Sequence, residues 1–278
     1  MTTPLPLDML HTAARSVCVL LPVLNEEHCI ERLLEEINTN LAGENAVTCV
    51  VDDGSRDRTV DLVNVYRAQA PARVHLIQRV KTSRGSERGG ALHAALLWGL
   101  EHTDADVFVE MDGDLSHRPE ELPAGIALVR GECDVAIASK YIVGSRVINR
   151  PLGRRLVSRL CSIMVRSVIS PLVHDYSNGY RFYNRAAAQM IAETQIRYAS
   201  PIYLTEVLSV WLSRGARIAE FPTTYVGRGK GESKLRLTDL AKAALAIFEI
   251  AGRLHVFGYG ASTRPIPAQT RPDTGMHV

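Results

Sequence analysis

Apolar residues in the first half of this chain fall in short unbroken runs separated by amphipathic stretches. Val17-Cys18-Val19-Leu20-Leu21 predicts a buried strand closed by Pro22. From Asn25-Glu26-Glu27 to about Asn38, the residues Ile30, Leu33, Leu34 and Ile37 share one helical face. Val47-Thr48-Cys49-Val50-Val51 predicts a second strand that runs into Asp52-Asp53-Gly54-Ser55. A helix over Thr59–Ala70 and a third strand over Val74–Ile77 follow. Gly89-Gly90-Ala91 opens a helix to Glu101, Val107–Glu110 is a fourth strand and Asp134–Ser139 a fifth. Continuous apolar strands alternating with helices indicate an α/β fold, with a mostly parallel sheet covered on both faces.

Helical spacing takes over in the second half. Leu152, Leu156, Leu160, Ile163 and Met164 mark a helix over Arg150–Ser170 with arginines on its other face. Tyr203–Arg214 predicts another. In Thr238–Arg253 a stripe of Leu240, Ala244, Ile247, Phe248 and Ala251 admits two readings: a helix packed on its own molecule, or one lying at a membrane surface. Residues 1–14 read as a loose lead-in, and 259–278, rich in Pro, Thr and Gly, as a disordered tail.

At 278 residues the chain is long enough for one large α/β domain. A net charge of +2 gives no bulk electrostatic reason to expect nucleic-acid binding. The basic residues are unevenly placed: Lys140, Arg146, Arg150, Arg154, Arg155, Arg159 and Arg166 follow one another with no acid among them, a spacing that suits an anion site or an acidic membrane surface. Five scattered cysteines, odd in number and without metal spacing, favour reduced thiols and a cytoplasmic setting. No apolar stretch approaches the ~18–20 residues that span a bilayer, so contact with a membrane is expected to be peripheral.

The chemistry concentrates at strand ends. Val107-Phe108-Val109 leads into Glu110-Met111-Asp112-Gly113-Asp114. In an extended segment residues i and i+2 point the same way, so Asp112 and Asp114 can converge on one hard cation. Asp-Gly-Asp is also ordinary turn chemistry. Its position argues for the metal reading. Asn25-Glu26 follows the first strand and Asp52-Asp53 the second, and ligands of such sheets bind outside the carboxyl ends of the strands. A dinucleotide-binding dehydrogenase is excluded locally, because Pro22-Val23-Leu24-Asn25 stands where a Gly-x-Gly-x-x-Gly turn would be needed.

Together, Leu21-Pro22-Val23-Leu24-Asn25-Glu26, Val50-Val51-Asp52-Asp53-Gly54-Ser55-Arg56-Asp57 and Met111-Asp112-Gly113-Asp114-Leu115-Ser116-His117 resemble the family 2 glycosyltransferases of GT-A fold. Asp175-Tyr176-Ser177-Asn178-Gly179-Tyr180-Arg181 and Arg228-Gly229-Lys230-Gly231-Glu232-Ser233-Lys234 resemble the dolichol- or polyprenyl-phosphate mannose synthases within them. The resemblance covers roughly residues 15–250. It implies a GT-A, Rossmann-like catalytic domain over 15–236 with an acceptor loop at about 226–236, then an amphipathic helix over 237–258. The implied reaction is an inverting, metal-dependent transfer of a hexose, mannose from GDP-mannose first, to a polyprenyl phosphate, with Mg²⁺ or Mn²⁺ as cofactor.

The resemblance also implies roles. Asp112, Asp114 and, as a weaker hydroxyl ligand, Ser116 would hold the ion. Pro22, Leu24, Asn25, Glu26, Asp52, Asp53 and Gly113 would line the donor pocket, Asp52 against the nucleobase. Arg228 and Lys234 would close over the diphosphate, and with Asp114 they form the expected catalytic set. Lys140, Arg154 and Ser158 would take the acceptor phosphate. Lys140 stands where the family usually has Arg, which keeps the charge and loses the bidentate fork. Asp175 and Arg181 are expected either in the wall near the sugar or in a structural salt bridge; Glu206 either orients the site or packs beside the core. Many relatives carry C-terminal transmembrane helices; this chain resembles the short form, which would reach a membrane by surface helices or through a membrane subunit. Other readings remain: another sugar such as glucose, a small soluble phosphate or phosphonate acceptor, or a non-catalytic nucleotide-sugar binder.

Overall fold

A computed structural model describes residues 15–80, 87–149, 159, 162–227 and 237–256, with side chains from 242 onward in the last segment. Five alternating elements come first: strand β1 (Ser16–Val23), helix α1 (Ile30–Asn40), β2 (Asn45–Asp52), α2 (Thr59–Gln69) and β3 (Val74–Gln78). Helix α3 (Arg88–His102), β4 (Val107–Glu110), α4 (Leu122–Gly131) and β5 (Val135–Ser139) continue the alternation. The rest comprises β6 (Arg146–Ile148), a helical segment α5 (162–168), β7 (Arg181–Asn184), α6 (Arg185–Ala192), α7 (Tyr203–Ser213), β8 (Ile218–Pro222), β9 (Thr224–Val226) and α8 (Leu237–Arg253).

The main sheet has seven strands in the order β3-β2-β1-β4-β7-β5-β8. All neighbours are parallel except β7, which runs antiparallel to both β4 and β5. A separate ribbon pairs β6 with β9. Successive residues of a strand point to opposite faces, and β1 shows it. Cys18 and Leu20 join a core with α3, α5, α6, α7 and α8, while Val17, Val19, Leu21 and Val23 join another with α1, α2 and α4. In α1 the periodic set Ile30, Leu33, Leu34 and Ile37 is buried as expected, each contributing about 1.5–3 kcal/mol of burial. The four described cysteines outside position 161 are free thiols, and burial pushes the Cys18 thiol up to about 12.

The structure corrects several sequence expectations. β1 runs through Pro22 to Val23. A proline is tolerated in this central strand because Leu20 and Pro22 face the same side, and pairing to β4 ends at Leu20 opposite Glu110. The missing N–H therefore falls where no partner remains. Helix α1 begins at Ile30, since Glu26–Cys29 form a turn in which the Glu26 carbonyl accepts from Cys29 and Ile30. The strands β6, β7, β8 and β9 and the helices α4 and α6 were not predicted. Among the described residues no helix is long and apolar enough to cross a membrane. Of the predicted stripe on α8, Ile247 and Ala251 are buried, with Ile250 beside them, whereas Phe248 (53% exposed) faces outward, as does Leu245 (72%), which the stripe did not include.

Candidate active site

Four strand ends meet at one rim. β1 delivers Asn25 and Glu26, β2 delivers Asp52 and Asp53, β4 delivers Asp112 and Asp114, and β5 delivers Lys140. Because β7 is antiparallel, its leading segment 175–180 arrives at the same rim between the acidic turn and Lys140.

The first two turns interlock. The Asp52 carboxylate accepts from the backbone N–H groups of Gly54 (3.1 Å) and Ser55 (3.1 Å), and Asn25 Oδ1 accepts from Arg56 N (2.8 Å). Asn25 holds a left-handed backbone (φ 56°), a conformation its side chain tolerates better than most. Its N–H donates to Ser55 Oγ, and Glu26 N–H donates to Thr59 Oγ1. Leu24 is partly exposed beside them. Asp53 binds Arg79 at 2.8 Å. Sequence reading missed Arg79.

The third turn is tightly built. A Cβ on Gly113 would lie 2.9 Å from Val23 Cγ1 and 3.1 Å from the Pro22 carbonyl oxygen, so only glycine fits against β1. Cys29 Sγ donates to the Gly113 carbonyl (3.3 Å), tying the turn before α1 to it. Leu115 holds a left-handed backbone (φ 59°), a strain for a residue without a compensating side chain. The turn it closes lets Ser116 N–H donate to Asp114 Oδ1 (3.0 Å).

Asp112 is held from two sides. Arg88 Nε donates to its Oδ1 (2.6 Å), and its own N–H donates to His117 Nδ1 (2.9 Å). Arg88 is the first residue of α3, where a cation faces the positive end of the helix dipole. That mismatch is the signal by which the sequence could have flagged it. Burial opposes the Arg88 charge, but the Asp112 and Glu110 carboxylates overcome it and raise its pKa. A Cβ at Gly179 would collide with this guanidinium. Burial pushes the Glu110 carboxyl above its ordinary range, against Arg181 and Arg88. Burial likewise holds His117 below its ordinary value, against the pull of Asp112 and Asp114.

His117 bridges to the basic half. Its Nε2 lies 3.0 Å from Asn178 Oδ1, its ring stacks on Tyr180 (centroids 4.9 Å apart), and Asn178 Nδ2 donates to the Ala138 carbonyl. Two residues further on, just past the end of β5, stands Lys140. Its N–H donates to Asp175 Oδ2 (2.9 Å), its ammonium lies 3.7 Å from the same oxygen, donates to Ser177 Oγ (3.3 Å) and sits 5.1 Å over the Tyr225 ring. Asp175 thus orients Lys140, and its other oxygen accepts from Ser177 and Asn178.

Arg181 is not a wall of the site. It is fully buried and donates to the carbonyls of Asn178 (3.0 Å), Leu204 (2.7 Å) and Tyr176 (3.1 Å). Glu206 also resolves as structural: its carboxylate accepts from Arg197 N and Tyr198 N, both at 3.0 Å, and meets Arg253 of α8. The expected site residues Arg154, Ser158, Arg228 and Lys234 lie outside the described residues, as does most of the expected acceptor loop. Val226, at the start of that loop, donates its N–H to the Ser116 carbonyl (3.2 Å).

The acidic turn suits a hard divalent cation. Its donors are all oxygen, and the buried Ser116 Oγ has no hydrogen-bond partner. Among the described residues no cluster of three or more His, Cys, Asp or Glu could hold an ion by itself. Such a turn fits an ion whose shell is completed by substrate oxygens, the usual situation of Mg²⁺.

Known proteins are similar to this chain. Over 220 residues the chain is 32% identical to a dolichol-phosphate mannosyltransferase of Pyrococcus furiosus, covering 79% of this chain and 59% of that protein, so it spans under two thirds of that relative. It is 32% identical over 240 residues to a polyprenol monophosphomannose synthase of Mycolicibacterium smegmatis, covering 85% and 88%. It is 33% identical over 219 residues to an undecaprenyl-phosphate mannosyltransferase of Micrococcus luteus, covering 79% and 87%. In fold it is similar to glucosyl-3-phosphoglycerate synthase of Mycobacterium tuberculosis, solved with Mn²⁺, UDP-glucose and phosphoglyceric acid, with TM-score 0.59, 20% identity, and 88% and 81% of the two chains covered. That likeness shows the GT-A type of α/β fold. Residues 18–191 match glycosyl transferase family 2, and with relatives above 30% identity over most of its length, the chain belongs to that family.

Proposed function

We propose that the protein transfers mannose from GDP-mannose to a polyprenyl phosphate, with inversion at the anomeric carbon. The observation that supports this reading is the rim itself: an acidic turn whose oxygens suit a hard cation and a buried lysine, joined through His117 and Asn178. The mannosyltransferase names of the relatives support the sugar and the lipid phosphate.

In this reading the loops at Asn25, Glu26, Asp52 and Asp53 cradle the nucleoside. Asp112 and Asp114, with Ser116 beside them, hold Mg²⁺ or Mn²⁺, which when bound offsets the negative charge left on the departing diphosphate. Arg88 holds and aims the Asp112 carboxylate. A phosphate monoester is already an anion near neutral pH, so it needs no general base; it needs positive charge that strips water and points it at the anomeric carbon. Lys140 supplies that charge, held in place by Asp175. Arg154 and Ser158 would complete the acceptor group, and Arg228 and Lys234 would close over the diphosphate, as the family resemblance implies. The outward pair Leu245 and Phe248 on α8 would rest on the membrane carrying the lipid.

The test is incubation of the pure protein with radiolabelled GDP-mannose, a polyprenyl phosphate and Mn²⁺ or Mg²⁺. The expected result is label in the organic phase, abolished by chelation. Donor binding with no lipid product in any metal would overturn it. A second reading, transfer of glucose or another sugar to a small soluble phosphate, is favoured by the phosphoglyceric acid bound in the structural neighbour. Product formation with soluble phosphate esters alone would select it.

A further inference from the structure

Beyond the rim, behind Lys140, lies a cavity of about 390 Å³. It is lined by the chain leaving β5, at Lys140 and Tyr141, by Ser162, Ile163 and Arg166 of α5, and by Arg159 and His174. The cavity is strongly basic. Lys140, Arg159 and Arg166 line it, and Asp175 and Glu220 pair with Lys140 and, at 2.7 Å, with His174.

Two groups in the wall lack partners of their own. Ser162 is 5% exposed, and its buried hydroxyl has no hydrogen-bond partner. Arg166 donates from Nη2 to the Pro171 carbonyl (3.2 Å), which fixes the guanidinium, while its buried Nε has no acceptor. An unsatisfied buried donor is destabilising. Two such donors on successive turns of one helix, facing a basic cavity, are accounted for by an anion that accepts from both. A guanidinium and a hydroxyl together match the oxygens of a phosphate ester.

We propose that this cavity is a phosphate-ester subsite, separate from the rim position of the attacking oxygen, in which Arg166 and Ser162 bind the anion, Arg159 guards the mouth and Lys140 is shared with the rim. The subsite deepens the proposed function: it selects acceptors that bring a second anionic group, or it holds the phosphate of a lipid headgroup while the acceptor reacts beside it. The identity of its natural ligand rests on that function; binding of the anion does not.

The full chain is titrated with glycerol 3-phosphate, without donor, and sedimented with vesicles of phosphatidylcholine alone or mixed with phosphatidylglycerol. Saturable binding of the soluble ester is expected. Arg166→Gln should weaken it about tenfold or more, the loss of one charged hydrogen-bonding group. Ser162→Ala should weaken it by a smaller factor, and Arg166→Lys should restore part of it. GDP-mannose affinity should be unchanged in all three. Arg159→Gln, at an exposed position, is the variant in which folding is not at stake, and it should slow association. Vesicle binding that requires phosphatidylglycerol and is competed by glycerol 3-phosphate assigns the subsite to a headgroup; ester binding without it assigns a soluble group. No saturable binding of either, or binding indifferent to Arg166 and Ser162 in folded variants, overturns the proposal. Anion binding that survives while no mannosyl transfer is found would instead refute the proposed reaction and leave the subsite standing.

Discussion

Asp112 and Asp114 sit in a turn whose every neighbour limits what else could stand there. Asp112→Asn preserves shape while removing the charge that balances buried Arg88. Mannosyl transfer is expected to fall about 100-fold or more, with the urea midpoint showing whether the fold survives. Gly113→Ala should be nearly as damaging for a different reason. The added methyl meets Val23 and the Pro22 carbonyl, so the turn must shift, at a cost of about 1–3 kcal/mol. Both stability and metal-dependent donor affinity should drop, and donor affinity at saturating metal tells displacement of the carboxylates from simple destabilisation. At this scale the sequence was informative about carboxylates and poor about their partners. The Asp-Gly-Asp spacing announced itself, while Arg88 and Asn178 come to it from other elements. The same limit made Arg181 and Glu206 ambiguous. A charge in a motif reads alike whether it meets a ligand or three backbone carbonyls.

At the scale of elements, the alternating parallel half was legible because each strand is a continuous apolar run and each helix keeps its period. The inserted strand β7 was not, since Arg181-Phe182-Tyr183-Asn184 is four residues long and begins with a buried charge whose satisfaction is entirely tertiary. Helix α4 was hidden by Pro123 and Gly125, and Gly125 is needed there because a Cβ would lie 2.6 Å from the Phe182 ring. Glu206 joins α7, the 195–198 segment and α8. Glu206→Gln turns an acceptor of two backbone N–H groups into a half-donor and leaves Arg253 without its carboxylate. Loss of about 3 kcal/mol is expected, read by chemical denaturation, with donor affinity retained in the folded fraction. A loss of donor affinity at unchanged stability would return Glu206 to the site.

For the whole molecule, the two faces of the sheet are unequal. One carries α1, α2 and α4; the other carries the larger helical layer ending in α8. Histidines caught in the second layer make stability depend on pH. Burial holds His93 and His75 below the ordinary imidazole value of 6.5, and the His93 Nδ1 is buried without a partner. The unfolded chain therefore binds protons more readily than the folded one as pH falls through about 6.5, so stability is full above that value and is lost below it. His93→Leu should flatten the fall in urea midpoint between neutral and mildly acid pH, and an unaltered pH profile would remove His93 from the account.

The sequence by itself determined the alternating fold, the acidic turns at strand ends and the family, because periodicity and local turn chemistry are written in neighbouring residues. Tertiary structure alone decided which charges face ligand and which face backbone. It reversed β7 and so brought residues 175–180 between the acidic turn and Lys140, and it opened a basic cavity behind that lysine. Those outcomes depend on groups far apart in the chain meeting at one rim, and no local pattern encodes such a meeting.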